Sequence, residues 1–215
     1  MTPEDKHYQM LNLLTQTIQR DVPGYKLIVK EKHWLYKLIF KIRPKFHEHV
    51  TTTIFPQIYM PESIYKDPTC WKIVAHEYVH LMQARDHPYW FLLKYVFPQV
   101  LGLLALPLLF LGPHALWALL LFLPLPAYFR MKYELDGYAM SMAINYWRYN
   151  SISIVQRIFV KQVFRGGTYY YMWPFSKWID RKINTMALQI VRGEYDERPV
   201  FNTVRMLIEY NWRTP

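Results

Sequence analysis

An α+β fold, mainly helical with a small antiparallel sheet near the N-terminus, follows from three features of the sequence. Long stretches carry apolar residues at helical spacing, the segments that read as strands lie within the first 60 positions, and a nearly unbroken apolar run occupies the middle. At 215 residues the chain is expected to form one domain, 1–215. Thr2 can cap a helix that starts at Pro3, with Glu4 and Asp5 in its first turn and Tyr8, Leu11, Leu14 and Ile18 as its apolar series. Asp21 to Gly24 breaks this helix. Tyr25 to Ile42 is β-prone and basic, and His47 to Met60 is rich in Thr, Ile and aromatic residues, so strands are expected there, with Pro56 at an edge or a bulge. Asp67, Pro68 and Thr69 open a second helix that runs to about Arg85, where Asp86, His87 and Pro88 end it. Further helices are expected over Arg130 to Asn150, Ile152 to Phe164 and Ser176 to Val191. An aromatic loop starts at Gly166, and a last helix lies over the surface towards Pro215.

The stretch from Tyr95 to Phe129 is apolar apart from Gln99 and the central Gly112, Pro113 and His114. Each arm holds roughly fifteen to seventeen residues, or roughly 25 Å of helix, against a hydrocarbon core of roughly 30 Å. Two short transmembrane spans or a re-entrant hairpin would fit, and a buried helical pair is the alternative. Lys94 precedes the hairpin and Arg130 and Lys132 follow it, so the positive-inside rule puts both ends, and the chemistry beside them, on the cytoplasmic side of a membrane. Lys and Arg outnumber Asp and Glu by 26 to 16, which suits an anionic partner, and 18 Tyr with 8 Trp favour a lipid interface over nucleic acid. No nucleic-acid module is present in the pattern. A single cysteine, Cys70, excludes an intramolecular disulfide, and the N-terminal residues lack the basic-then-apolar pattern of a secretory signal.

Residues 76–80 read His-Glu-Tyr-Val-His, the HExxH pattern of zinc peptidases. On a helix, positions i and i+4 stand one above the other, so His76 and His80 can both reach one zinc ion. Glu77 is turned towards the metal's water and is the candidate general base for attack on a peptide carbonyl. Catalytic zinc commonly has three protein ligands and an open position. Glu134 is the leading candidate for the third, because its helix is the first polar element after the hairpin and a hairpin returning on one side would bring it back beside His76 and His80. Asp136 is the alternative.

The segment Tyr133 to Ala139, YELDGYA, resembles the glutamate-bearing helix of the gluzincins, in which a later Glu completes the site, often with a small residue and an acid within a turn. The order of elements over residues 67 to 145 is similar to that of membrane-bound zinc endopeptidases related to the CAAX-processing and heat-shock-induced proteases. That resemblance implies a zincin-like fold, His76, His80 and Glu134 as metal ligands, Glu77 as the base and a polypeptide substrate at a membrane. The sequence departs from the family where an Asp is common four residues after the ligand Glu, since Tyr138 stands there. In zincins an edge strand pairs with extended substrate, and TTTIFPQIYM is the candidate. His47, His49, His87 and His114 are expected to be surface, helix-end or turn residues, and Tyr169, Tyr170 and Tyr171 to belong to the aromatic loop. An inactive or structural zincin acting as a membrane-associated scaffold is the competing function.

Overall fold

The computed structural model describes residues 2–34, 36–37, 50–102, 120, 125–166 and 171–213. Helix α1, Pro3–Asp21, begins in a capping box. The Thr2 hydroxyl accepts from the Asp5 N–H and the Asp5 carboxylate accepts in return from Thr2. Met10, Leu14 and Ile18 form its buried stripe.

Strand β1, Lys26–Val29, follows, and then β2, Thr52–Ile54, and β3, Gln57–Met60, which turn into one another through Phe55 and Pro56. The order in the sheet is β1-β3-β2. Strand β2 runs antiparallel to β3, with Thr52 opposite Tyr59. Strand β1 runs parallel to it, with Lys26 opposite Gln57 and Val29 opposite Met60. The sheet is therefore mixed, where the sequence predicted an antiparallel one, and the fold as a whole is mostly helical α+β. Period-two alternation is the same for both pairings, so the residue pattern alone does not tell a parallel partner from an antiparallel one. Pro56 sits in the turn, not at an edge or a bulge.

A short helix α2, Glu62–Tyr65, leads to Asp67, whose carboxylate accepts from the Thr69 N–H at 2.7 Å and starts a single 3-10 turn. Helix α3, Trp71–Ala84, has no Gly or Pro and is buried on nearly every side. A helix buried on nearly every side belongs at the centre of a fold, and α3 packs against α1, α4 (Pro88–Val96), α5 (Tyr128–Tyr149) and β2. Two polar anchors fix it. The Tyr78 hydroxyl donates to Asp21 at the end of α1, and Trp71 Nε1 donates to His7 Nδ1 at 2.9 Å.

Helix α5 ends at Asn150, which adopts the left-handed conformation (φ 51°). Ser153 then caps α6, Ile154–Arg165, so the helix expected from Ile152 starts two residues later, after a true break. Helix α7 spans Ser176–Val191 and α8 spans Pro199–Arg213. The last helix is packed in, not laid over the surface: Phe201, Val204 and Ile208 are buried and Trp212 meets Trp71 at 5.3 Å.

The expectation of a transmembrane hairpin and a membrane-associated location is corrected. Among the described residues no helix is long and apolar enough to cross a membrane. Helix α4, which enters the apolar run only with its last two residues, Tyr95 and Val96, has 9 residues where a span needs roughly 20. Residues 103–119 and 121–124, the body of the expected hairpin, lie outside the described residues. The run does return near where it left: Gln99 Nε2 donates to the Leu125 carbonyl at 2.9 Å, and α5 follows directly.

Candidate metal centre

His76 and His80 stand one turn apart on α3 with ring centroids 5.1 Å apart. Helix α5 crosses α3 and places Glu134 opposite both. Its Oε2 is 3.7 Å from His76 Nε2 and its Oε1 is 3.8 Å from His80 Nε2. One ligand atom from each of the three residues lies within 4.8 Å of the others, and all three side chains are buried. Two imidazoles and a carboxylate so placed can hold a metal ion. His80 Nε2 and Glu134 Oε2 are buried without any hydrogen-bond partner, a costly condition that a cation between them would relieve.

The rings are held from behind. His76 Nδ1 lies 3.3 Å from the Ser141 hydroxyl, which donates to the Gly137 carbonyl, and His80 Nδ1 lies 3.0 Å from Gln83 Oε1. With both Nδ1 atoms engaged, both Nε2 atoms are left for the centre. Gly137, one turn after Glu134, lets the His76 ring lie against the helix backbone; a Cβ there would fall 2.5 Å from Nε2. Tyr138, at the position where the resembled family has an acid, sets its ring edgewise to His76 at 4.9 Å. The Tyr95 hydroxyl donates to Glu134 Oε1, and the Arg130 guanidinium stacks on the Tyr95 ring at 4.9 Å.

Charge balance within this pocket is set by Glu134. Burial alone would push its carboxyl up, but His76, His80 and the Tyr95 hydroxyl favour the anion and hold it at about 2. Burial alone would lower His76, but Glu134, Glu77 and the Gly137 carbonyl outweigh it and raise its pKa. The Tyr95 phenol is raised well above 10 by burial and by the Glu134 charge, so it remains a donor.

Glu77 is also buried, and its Oε2 accepts from the Thr53 hydroxyl at 2.6 Å. Thr53 faces α3 from β2, while its neighbour Thr52 accepts from the ammonium of Lys30 at 2.9 Å. Lys30 has no exposed surface; it also donates to the Val50 carbonyl at 2.5 Å, and burial brings its pKa down to about 8 against the opposing charges of Glu77 and Glu31. Glu77, His80 and Glu134 open into one cleft of about 390 Å³, walled by Val50–Phe55 on one side and by Tyr89, Phe91 and Leu92 of α4 on the other. Among the described residues β2 is an edge of the sheet.

The structure thus brings His76, His80 and Glu134 together, with Glu77 in the same cleft. Asp136 lies outside the group; both of its oxygens are taken, by Gln83 Nε2 at 3.1 Å and by Arg198 at 3.1 Å. His87 is the exposed residue before α4, and Tyr171 is exposed. His47, His49, His114, Tyr169 and Tyr170 lie outside the described residues. Thr53, Gln83, Tyr95, Ser141 and Lys30 were not singled out from the sequence. Gln83 and Ser141 had a usable signal, since each sits on the same helical face as a proposed ligand, three residues after His80 and seven after Glu134. Compared with protein-family models, with curated proteins and with solved structures, the chain matches none.

Proposed function

We propose that this chain is a zinc-dependent endopeptidase with a zincin-like arrangement, in which α3 is the active-site helix, α5 supplies the third ligand and β2 borders the substrate cleft. The observation that carries this reading is the convergence of His76, His80 and Glu134 on one buried point, with two ligand atoms left without hydrogen-bond partners and Glu77 opening into the same cleft. The donor set of two imidazoles and one carboxylate suits a catalytic zinc. Held by His76, His80 and Glu134, the ion would supply Lewis-acid activation of a water and of a substrate carbonyl.

The protein's own groups do the rest. Thr53 holds Glu77 Oε2, so Oε1 is the oxygen that takes the proton of the attacking water and then delivers it to the leaving amine. Tyr95 keeps the Glu134 carboxylate in place by donating to Oε1. A polypeptide substrate is supported by the cleft itself, because an extended backbone can pair with the edge of β2 while its side chains lie against the apolar wall of α4. The zinc-loaded protein should cleave an unfolded polypeptide, stop when a chelator removes the metal and resume when zinc is restored. Failure of the loaded protein to cut any such chain would overturn the reading.

A further inference from the structure

We infer that Gln83 and Asp136 form a relay that sets the tautomer of His80 and so presents its Nε2 lone pair to the metal; the inference rests on the zinc reading above. The relay starts at Arg198 and runs inward. The Arg198 guanidinium donates to Asp136 Oδ1 at 3.1 Å and stacks on the Tyr195 ring at 4.1 Å, which fixes the carboxylate in place. A carboxylate only accepts, so the Gln83 group 3.1 Å from Asp136 Oδ2 is the amide nitrogen, and the amide cannot flip. Gln83 therefore points its carbonyl oxygen at His80 Nδ1, 3.0 Å away, and an acceptor there requires the proton on Nδ1. The ring is left with a bare Nε2, the atom that is buried without a partner and faces Glu134.

His76 is fixed more simply. Its Nδ1 meets the Ser141 hydroxyl, whose one proton goes to the Gly137 carbonyl at 3.4 Å, so the oxygen accepts from Nδ1 and no relay is needed. The relay thus assigns a role to Asp136 as a positioning residue acting through Gln83, and it ties the loop before α8 to the metal centre. It also links two helices across 53 residues of sequence, so α3 and α5 must keep their crossing for the ring to stay oriented.

The test uses the whole chain, with ¹⁵N-labelled histidine, in its metal-free form. Two-dimensional NMR should report His80 with its proton on Nδ1. Asp136→Asn frees the amide to turn, so His80 should become a mixture of tautomers and zinc affinity should fall by about 10- to 100-fold. The double variant Gln83→Glu with Asp136→Asn exchanges the carboxylate and the amide. The carboxylate, now on α3, can only accept from His80, and the amide, now on α5, can donate to it, so the Nδ1 tautomer and most of the zinc affinity should return. Wild-type tautomer and affinity within about twofold in Asp136→Asn, or a double variant no better than the single one, would overturn the relay. The tautomer is read without metal, so a wild type with the Nδ1 proton but no zinc uptake would sink the zinc reading and leave the relay standing.

Discussion

Gly137 lies so close beneath the His76 ring that a methyl group on it would sit 2.5 Å from Nε2, 2.7 Å from Cε1 and 2.9 Å from Cδ2. Gly137→Ala should therefore separate folding from metal binding. Alanine favours the helix by about 1 kcal/mol over glycine, which offsets part of the clash, but the ring must rotate away from the centre. Zinc affinity should drop at least about tenfold while circular dichroism keeps the helical signal. Unchanged zinc binding would mean that His76 does not approach the metal from this side.

Glu77 and Thr53 should behave as base and holder. Glu77→Gln keeps the shape of the side chain but removes its basicity, so zinc content should stay near that of the wild type while turnover falls by about 10²- to 10⁴-fold. Thr53→Ala removes one hydrogen bond to a charged group, worth about 1.5–3 kcal/mol, so turnover should fall by roughly 10- to 150-fold, with zinc retained. Steady-state kinetics beside elemental analysis distinguishes these outcomes from metal loss.

The raised His76 and the Glu134 carboxyl held at about 2 set a pH dependence with a definite sign. Without metal, the interaction between them contributes fully below the unfolded histidine value of about 6.5 and is lost as pH rises through the higher folded value. The Glu134 part is present above its unfolded value of about 4.3 and is lost only as pH falls towards 2. Zinc requires neutral His76, so its affinity should strengthen over the interval in which the metal-free interaction fades. Calorimetric titrations in buffers of different ionisation enthalpy should show a proton released from His76 at about pH 6, with the release fading as pH rises through the folded His76 value.

Lys30 should affect stability rather than metal binding. Lys30→Met leaves the Val50 carbonyl without its donor and should cost about 1–3 kcal/mol in chemical denaturation, with zinc content preserved. The folded pKa of about 8 lies below that of the unfolded chain, so the unfolded state binds more protons and the wild type gains stability as pH rises from about 8 to about 10. The variant should lack that gain.

The legible part of this fold is the local part. Caps at Thr2 and Asp67, the helical spacing of His76 and His80, and the span of α7 all depend on neighbours in sequence. Glu134 could be nominated because the apolar run had to bring its helix back, and Gln99 meeting Leu125 marks that return. What depends on crossings between distant elements was hidden. Gln83 finds Asp136 only because α3 and α5 cross, and Thr53 finds Glu77 only because β2 lies over α3. A buried lysine such as Lys30 is disguised by residue type, since lysine in a basic stretch reads as surface. The membrane reading is corrected because no helix among the described residues is long and apolar enough to cross a membrane, and apolar content alone does not reveal how long a helix runs.

Whether His76, His80 and Glu134 hold one zinc ion is decided by the zinc content of the purified protein. Wild type and Glu77→Gln should each carry close to one zinc per chain, while His80→Ala and Glu134→Ala should lose most of it with their folds intact. A folded wild type that takes up no zinc when the metal is supplied, or a Glu134→Ala variant that keeps it fully, would refute the three-ligand site.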